Sequence, residues 1–195
     1  MHNLICFEGI NYVGKTSTAK SVADQLRAIY GPRVANGWKK AEEEIHKNPD
    51  HLARFSFFIR ELTARNKQVS QMLELADVVL DRYLFSVFAY HNVIVGKQLE
   101  VETDVNALRQ PDCTVLLTVN EAVLEQRMKN RPPRHLYESD PIFLLEVQRE
   151  FLWLIDRKKT IIVDTSIQPA EEVANAVLGE LLKRGFVCSQ PPRRE

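Results

Sequence analysis

The sequence predicts a doubly wound α/β fold, in which helices cover both faces of a parallel sheet of about five strands. Short apolar runs recur along the chain, and they lack the polar–apolar alternation of strands with one wet face. Longer stretches with a helical spacing of apolar residues separate these runs. Strands that alternate with helices favour parallel pairing with right-handed crossovers.

Four runs are predicted as buried strands because each is rich in β-branched residues or leucine. They span Asn3 to Gly9, Ala76 to Tyr83, Cys113 to Val119 and Thr160 to Ser166. The segment 31–50 has two interpretations. Its "PRVANGW" suits a short edge strand and a turn, whereas its "KKAEEEIHK" suits the start of a helix.

Helices are predicted between these strands. In the first, from Thr16 to Ile29, apolar residues recur on one face. Further stretches with the length and spacing of helices lie around Asp50 to Leu75, Asn120 to Lys129, Asp140 to Asp156 and Ala170 to Lys183. The tail, about 188–195, has the composition of a frayed end.

The composition favours a single globular domain over residues 1–195. The chain is 45% hydrophobic and 27% charged, which is enough for one substantial core. Lys+Arg and Asp+Glu both number 26, so the net charge gives no general attraction to nucleic acid or to an anionic membrane. We therefore expect a small-molecule partner rather than either of these.

The cysteines and the apolar runs bear on the compartment. The three cysteines, Cys6, Cys113 and Cys188, are widely spaced and odd in number, which argues against a disulfide framework and a zinc cluster. No apolar run approaches the ~18 residues that a membrane-spanning helix needs. These features predict a cytoplasmic protein.

The loop after the first predicted strand carries the strongest chemical signal. Residues 9–16, "GINYVGKT", fit the pattern G-x-x-x-x-G-K-[ST] between a strand and an amphipathic helix. In this pattern backbone N–H groups surround phosphate oxygens, the lysine reaches the β- and γ-phosphates, and the threonine oxygen binds Mg²⁺. We therefore predict a P-loop NTPase-type fold that binds ATP and Mg²⁺. The loop residues assigned to this site are Gly9, Asn11, Tyr12, Val13, Gly14, Lys15, Thr16 and Ser17.

A second candidate site lies at the end of the predicted strand "ADVVL". There Asp81 and Arg82 would emerge at the carboxyl edge of the sheet, where open α/β sheets bind their ligands. Asp81 can assist Thr16 in holding Mg²⁺, and Arg82 can bind a phosphoryl group through two hydrogen bonds. The alternative is a structural ion pair, but the phosphate loop in the same chain favours the functional interpretation.

A third feature is the basic segment "RMKNRPPRH". Its cations include Arg131 and Arg134 and surround two prolines. The alternative is a solvated charged face. Because the prolines interrupt the helix, we favour a short lid at about 129–139. Arg131 and Arg134 would then neutralise charge on the transferred phosphoryl group as the lid closes.

The chain resembles the thymidylate kinase family over nearly its whole length. The stretches "FEGINYVGKTS", "DRYLFSVFAY", "QPDCTVLLTV", the arginine-rich lid and "IIVDTS" occur in the order seen in that family. The resemblance implies that Arg82 binds the acceptor phosphate and that Ser86 and Tyr90 border the nucleoside pocket. It also implies a homodimer, for which "DPIFLLEVQREFLWLI" offers either a face or core packing. The residues it places against adenine are Arg127, Thr165, Ser166 and Ile167.

The family also places an aromatic residue and an arginine on the helix before "DRY", where they bind the pyrimidine. In "RFSFFIREL" the resemblance implies Phe57 or Phe58 and Arg60, with Arg65 as the second choice. The phenylalanines also suit core packing, and at least one of them is expected in the core.

Three departures from the family lie on the acceptor side. Asn11 stands where the family has an aspartate near the acceptor sugar, and His91 replaces a glutamine after "AY". No Arg-Glu-Pro-Gly stretch occurs between Arg33 and Asp50. The donor side is intact, so the resemblance supports ATP-dependent transfer more strongly than it supports dTMP. We expect dTMP to be a weak acceptor or another monophosphate to be preferred.

The leading hypothesis is a nucleoside monophosphate kinase that moves the γ-phosphoryl group of ATP to a pyrimidine deoxynucleotide such as dTMP. One alternative is a (deoxy)nucleoside kinase, whose hydroxyl acceptor benefits from a carboxylate base such as Glu8 or a glutamate of "AEEE". The other alternative is a non-catalytic nucleotide-binding regulatory protein.

Overall fold

The computed structural model describes residues 2–100, 105–131, 133, 137 and 139–187. The predicted tail from 188 and the lid residue Arg134 lie outside these ranges. Strands are found at β1 (Leu4–Glu8), β2 (Ile29–Tyr30), β3 (Val78–Asp81), β4 (Cys113–Thr118) and β5 (Thr160–Asp164). They form one parallel sheet in the order β2–β3–β1–β4–β5. The carboxyl ends of all these strands therefore lie along one edge.

Helices follow the strands on both sides of the sheet, which confirms the predicted fold class. In the described part of the chain they are α1 (Lys15–Leu26), α2 (Lys39–Ile45), α3 (His51–Met72), α4 (Leu84–Val95), α5 (Glu121–Asn130), α6 (Pro141–Leu154) and α7 (Ala170–Lys183). The described residues also include a 3₁₀ turn at Val105–Ala107.

The core has two layers, one on each face of the sheet. Ile5 and Phe7 of β1 pack in a cluster with α1, α6 and α7, whereas Leu4 and Cys6 pack in a second cluster with α3 and α4. Successive strand residues point to opposite faces, so an unbroken apolar run fits a strand that is covered on both. Complete burial of a side chain such as Phe7 contributes roughly 1.5–3 kcal/mol.

Aspartate caps explain where two helices begin. The carboxylate of Asp50 accepts hydrogen bonds from the N–H groups of Leu52 at 2.9 Å and Ala53 at 3.0 Å. Asp140 caps α6 in the same way, with the Ile142 N–H at 2.9 Å. These bonds satisfy first-turn N–H groups that have no partner within the helix. The starts predicted near 50 and 140 are confirmed.

The segment after α1 differs from one sequence-based expectation. Arg27 adopts a left-handed φ of 55° and ends α1, which the sequence had predicted to reach Ile29. Ile29–Tyr30 instead forms the edge strand β2 beside β3. The stretch "PRVANGW" forms no strand, and "KKAEEEI" forms α2, so the helical interpretation of this segment is confirmed.

Helix α4 was not predicted from the sequence. Its residues, "LFSVFAYHNVIV", are apolar almost all round, so they show no clear stripe with a period of 3.6. The helix fits between neighbours on both sides, with Val87 in the α3 cluster and Ala89 in the α1 cluster. A helix buried on several sides loses the periodicity by which a sequence would reveal it.

Helix α6 has one buried and one exposed side. Leu144, Val147 and Phe151 are buried in the core, whereas Ile142 and Trp153 are 64% and 67% exposed. Core packing therefore accounts for one side of this helix. The homodimer stays a prediction. Within the described ranges, no helix combines the length and the apolar character required to cross a bilayer.

Candidate active site

The phosphate loop joins β1 to α1, and its glycines are required by the backbone. Gly9 has a φ of 132°, and a Cβ atom at this position would lie 2.3 Å from the carbonyl oxygen of Leu117 in β4. Gly14 has a φ of 88° and precedes the first residue of α1. The loop therefore passes close to the sheet and directs the N-terminus of α1 toward its own concave side, a geometry that favours anions.

Lys15 is buried within this loop. Its ammonium group donates a hydrogen bond to the carbonyl oxygen of Ile10 at 2.5 Å. Burial, and next the neighbouring guanidinium of Arg82, hold the pKa of Lys15 well below its usual value, and Arg33 acts in the same direction. Several cations thus converge on one place, which favours an anionic ligand such as a phosphate group.

Thr16 and Asp81 bring two oxygens together. The Thr16 hydroxyl donates to Oδ2 of Asp81 at 2.5 Å. Oδ1 of Asp81 is buried and has no hydrogen-bond partner among the described residues. A carboxylate and a hydroxyl beside a phosphate loop fit Mg²⁺, which takes few protein ligands and shares phosphate oxygens. The predicted metal residues therefore lie in contact.

The P-loop cavity is a cleft bordered by residues of the phosphate loop and by Asp81, Arg127 and Arg131. Arg127 donates to the carbonyl oxygen of Tyr12 at 3.1 Å and to both the hydroxyl and the carbonyl oxygen of Thr165, at 2.9 and 2.5 Å. It thus ties the phosphate loop to the segment after β5. Its planar guanidinium at this position suits the side of a nucleobase.

Some predicted donor-site residues lie outside this cavity. Val13 is buried in the core, and Gly9 is required for the backbone conformation and the close approach to Leu117. Ser166 bonds Asp164 and the Asn120 N–H, and Ile167 is 93% exposed. Thr165 is buried and lines neither cavity; it accepts hydrogen bonds from Arg127, which borders the P-loop cavity. The roles of Thr165, Ser166 and Ile167 toward adenine therefore rest on the resemblance alone.

Arg131 is the described lid arginine. It follows the last residue of α5, and its guanidinium carbon lies 5.7 Å from the ring centroid of Tyr12. Helix α5 extends to Asn130, so the start of the predicted lid segment, near 129, belongs to the helix. Arg131 lines the P-loop cavity, in agreement with the predicted position.

Arg82 occupies the centre of the site. Its guanidinium donates to the Gly9 carbonyl oxygen at 3.2 Å, to the Ser86 hydroxyl at 3.1 Å, to the Tyr90 hydroxyl at 3.3 Å and to Oδ1 of Asn11. Its φ of 72° is left-handed, which is unusual for a residue with a side chain. Strain of this kind persists where surrounding contacts determine the backbone, often at functional sites.

A second cavity, here called the α3 cavity, lies on the other side of Arg82. Its volume is about 140 Å³, space for on the order of ten water molecules. Helix α3 contributes Arg54, Phe58, Glu61 and Arg65, which follow one another at helical spacing on one face.

This helical phase decides between the candidates for pyrimidine binding. Phe58 lines the α3 cavity, whereas Phe57 packs against Trp38 with ring centroids 5.4 Å apart. Arg60 is exposed and lines neither cavity, so the structure does not place it among the residues that could contact a base there. Arg54, one turn before Phe58, occupies the cavity instead, and the spacing from Phe58 could have identified it.

Other cavity residues had no sequence signal. Tyr137, from the predicted lid, covers Arg54: its hydroxyl accepts from Arg54 at 3.2 Å, and its ring centroid lies 4.9 Å from the guanidinium. Arg33 comes from the loop after β2, whose structure the sequence left open. Asn11, Arg33 and Arg82 line both cavities, and we call this shared border the junction.

His91 forms part of the α3 cavity wall. Its Nδ1–H donates to the carbonyl oxygen of Val87 at 2.7 Å, so Nε2 carries the lone pair. Burial lowers its pKa to about 4, so the ring is neutral near pH 7. Nε2 is without a hydrogen-bond partner in the described part of the chain. Nε2 is itself buried, so the neutral ring packs between Phe55 and Phe58 in the wall, where the family carries a glutamine, without exposing this nitrogen to the cavity.

Glu8 is not placed as a catalytic base. Its Oε1 accepts the N–H groups of Tyr83 at 3.0 Å and Ser86 at 3.3 Å, and its Oε2 accepts the Ser86 hydroxyl. Glu8 is fully buried and lines neither cavity. The carboxylate thus shapes the turn that carries Arg82. Of the "AEEE" glutamates, Glu42 lines the α3 cavity.

Comparison with known solved structures finds the same fold. The thymidylate kinase of Candida albicans superposes with a TM-score of 0.77 at 20% identity, over 95% of this chain and 93% of that chain. Deoxyadenosine kinase from M. mycoides with bound dATP gives a TM-score of 0.67 at 16% identity, over 93% and 100%. At these identities the likeness shows a shared fold.

Sequence comparison identifies the family. The probable thymidylate kinase of Methanocaldococcus jannaschii is 29% identical over 181 residues, which cover 91% of this chain and 94% of the relative. That of Archaeoglobus fulgidus is 30% identical over 183 residues, covering 89% and 92%. The thymidylate kinase family model matches residues 7–177. The chain therefore belongs to the thymidylate kinase family, a family of nucleoside monophosphate kinases.

Proposed function

We propose that the protein transfers the γ-phosphoryl group of ATP to a pyrimidine deoxynucleoside monophosphate such as dTMP. The observation that carries this proposal is the junction. The P-loop cavity and the α3 cavity share Asn11, Arg33 and Arg82 and have no other lining residue in common among the described residues. ATP in the first cavity and the acceptor in the second would place the two reacting groups on either side of Arg33 and Arg82.

The residues of the site would act mainly through position and charge. Lys15 would bind the β- and γ-phosphates of ATP, and Arg127 would lie beside the adenine. Thr16 and Asp81 would hold Mg²⁺, which supplies positive charge to phosphate oxygens when it is bound. Arg82 would hold the acceptor phosphate close to the γ-phosphoryl group and reduce the repulsion between them.

The geometry favours a phosphorylated acceptor over a nucleoside. A hydroxyl acceptor benefits from a carboxylate base, but the oxygens of Glu8 are already occupied by Tyr83 and Ser86. Glu42 lines the α3 cavity but does not belong to the junction. Arg82, by contrast, lies at the junction as a cation, and an acceptor phosphate would take over some of the four terminal N–H groups that Arg82 donates to Gly9, Asn11, Ser86 and Tyr90. The likeness to a deoxyadenosine kinase is one of fold and adds nothing about the acceptor.

The α3 cavity suits a pyrimidine base. Phe58 presents an aromatic ring, Arg54 presents a guanidinium, and His91 adds a neutral imidazole ring to the wall. The imide edge of thymine has an N–H donor between two carbonyl acceptors, and a carbonyl of this edge can accept a hydrogen bond from the arginine. This pattern supports dTMP as the acceptor despite the departures at Asn11 and His91.

The test measures ADP formation from ATP and Mg²⁺ with a panel of deoxynucleoside monophosphates and the matching nucleosides. We expect dTMP to exceed thymidine in kcat/KM by ~10²-fold or more, since Arg82 gains a charged partner. Comparable turnover of thymidine would support the nucleoside kinase. ATP binding without ADP formation from any acceptor would support the regulatory protein.

We expect Arg131→Ala to lower kcat and kcat/KM together by ~10- to 100-fold with little change in ATP affinity. This pattern would identify a contact made mainly in the transition state, as a closing lid requires. Steady-state kinetics and ATP titration measure both quantities. Lys129→Ala is the matched control, because Lys129 is an exposed cation two residues earlier that lines neither cavity. Equal kinetics for the two variants would support the alternative that Arg131 belongs to a solvated charged face.

A further inference from the structure

Helix α3 carries a buried ion pair, Glu61 and Arg65, in the wall of the α3 cavity. Glu61 and Arg65 are 2% and 3% exposed, and the Arg65 Nε lies 3.2 Å from Oε1 of Glu61, without the alignment of a hydrogen bond. Burial raises the pKa of Glu61 even beside Arg65, so keeping this carboxylate ionised costs desolvation energy. Buried ion pairs contribute little net stability, so a role other than stabilisation accounts better for the Glu61–Arg65 pair.

The remaining contacts of the pair go to backbone atoms in two loops. Arg65 Nη1 donates to the carbonyl oxygen of Arg33 at 2.5 Å and to that of Arg82 at 3.1 Å. Oε1 of Glu61 accepts the N–H of Ala35 at 2.7 Å. One guanidinium nitrogen thus joins the loop after β2 to the loop after β3.

These two loops supply the cations of the junction. Arg33 and Arg82 are the arginines among the described residues that line both cavities. Arg82 also has the left-handed φ of 72°, and the carbonyl oxygen that Arg65 holds belongs to this strained residue. A movement of either loop would change the distance between the two guanidinium groups.

We propose that Glu61 and Arg65 form a positioning pair, which fixes the backbones of Arg33 and Arg82 so that both arginines face the transferred phosphoryl group. The inference rests on the proposed function for the identity of that group. It replaces the role that the resemblance gave Arg65 as a second choice for binding the base. Arg33, from the segment without the family's Arg-Glu-Pro-Gly stretch, becomes the second junction cation.

The kinetic test is a double-mutant cycle on kcat. Arg65→Lys keeps the charge but lacks the planar fork that reaches two carbonyl groups, so we expect kcat to fall by ~10-fold or more with acceptor KM within ~3-fold. In an Arg33→Ala background, Arg65→Lys should lower kcat much less, because the Arg33 cation that it would displace is already absent. Additive losses, or a loss confined to KM, would overturn the proposal. Arg60→Lys, on the exposed side of α3, is the control and should leave kcat unchanged.

A second readout needs no turnover and so separates this inference from the proposed function. Amide hydrogen exchange of the folded, ligand-free protein should speed up in segments 33–36 and 82–84 together in Arg65→Lys, and in neither segment in Arg60→Lys. Unchanged exchange in either segment would overturn the positioning role. If the wild-type protein transfers phosphate to no monophosphate, the proposed function fails, and the exchange experiment still decides whether Arg65 joins the two loops.

Discussion

Lys15→Ala is expected to lower kcat for phosphoryl transfer by ~10²-fold or more while the protein stays folded. The lysine is the cation held inside the phosphate loop, where its ammonium group bonds the carbonyl oxygen of Ile10. Phosphoryl transfer spreads negative charge over the oxygens between ATP and the acceptor, and a buried cation opposes that charge more strongly than an exposed one. Removing it leaves the charge unopposed on the loop side.

The measurement is steady-state ADP formation at saturating ATP, together with a thermal unfolding curve. Lys15 has a depressed pKa and repels Arg82, so its loss is not expected to lower the melting temperature greatly. Lys39→Ala, at the exposed start of α2, controls for the loss of one positive charge. A Lys15→Ala protein with turnover within a few-fold of wild type would refute the assignment of this loop to the γ-phosphoryl group.

The donor side of the site could be predicted because its residues are close in sequence. Gly9 to Thr16 are contiguous, and the loop geometry depends on glycines that any reader of the sequence can see. Asp81 and Arg82 follow a recognisable strand, and parallel strands end at one edge of a sheet. The contact between Thr16 and Asp81 follows from these two facts.

The acceptor side could not be predicted in the same way because its residues come from distant segments. Arg33, Arg54 and Tyr137 meet only through the packing of a loop, a helix and the lid segment. The choice between Arg54 and Arg60 depends on the rotation of α3 about its axis, and either arginine fits the composition of the helix. The apolar character of α4 likewise hid the helix that carries His91.

The departure from the family at Asn11 lies on the acceptor side of the site. Asn11 lacks the charge of the usual aspartate, yet its Oδ1 still accepts a hydrogen bond from Arg82. An amide oxygen can keep the geometry of such a bond without neutralising the guanidinium. Arg82 therefore retains more positive charge for the acceptor phosphate than a neighbouring carboxylate would leave it. The departure adjusts the acceptor site and is compatible with turnover.

Arg82→Ala is expected to lower kcat/KM for dTMP by on the order of 10²- to 10⁴-fold and to remove most of the preference for dTMP over thymidine. The guanidinium makes four hydrogen bonds that hold it between the two cavities, so no other described cation can take its position without moving. In Arg82→Ala the phosphate of dTMP no longer has this cation beside it, whereas thymidine has no phosphate for Arg82 to bind. The comparison of both acceptors therefore separates phosphate recognition from a general loss of structure.

Arg82→Lys is the matched variant, because it keeps the charge and loses the planar fork. It should recover part of the activity on dTMP, since one cation at the junction still opposes the charge of the two phosphates. Either variant removes contacts to Asn11, Ser86 and Tyr90, so ATP binding is measured alongside to show that the P-loop cavity is intact. If Arg82→Ala slowed dTMP and thymidine equally, Arg82 would be structural. The acceptor phosphate would then have to be bound by Arg33, the other arginine of the junction.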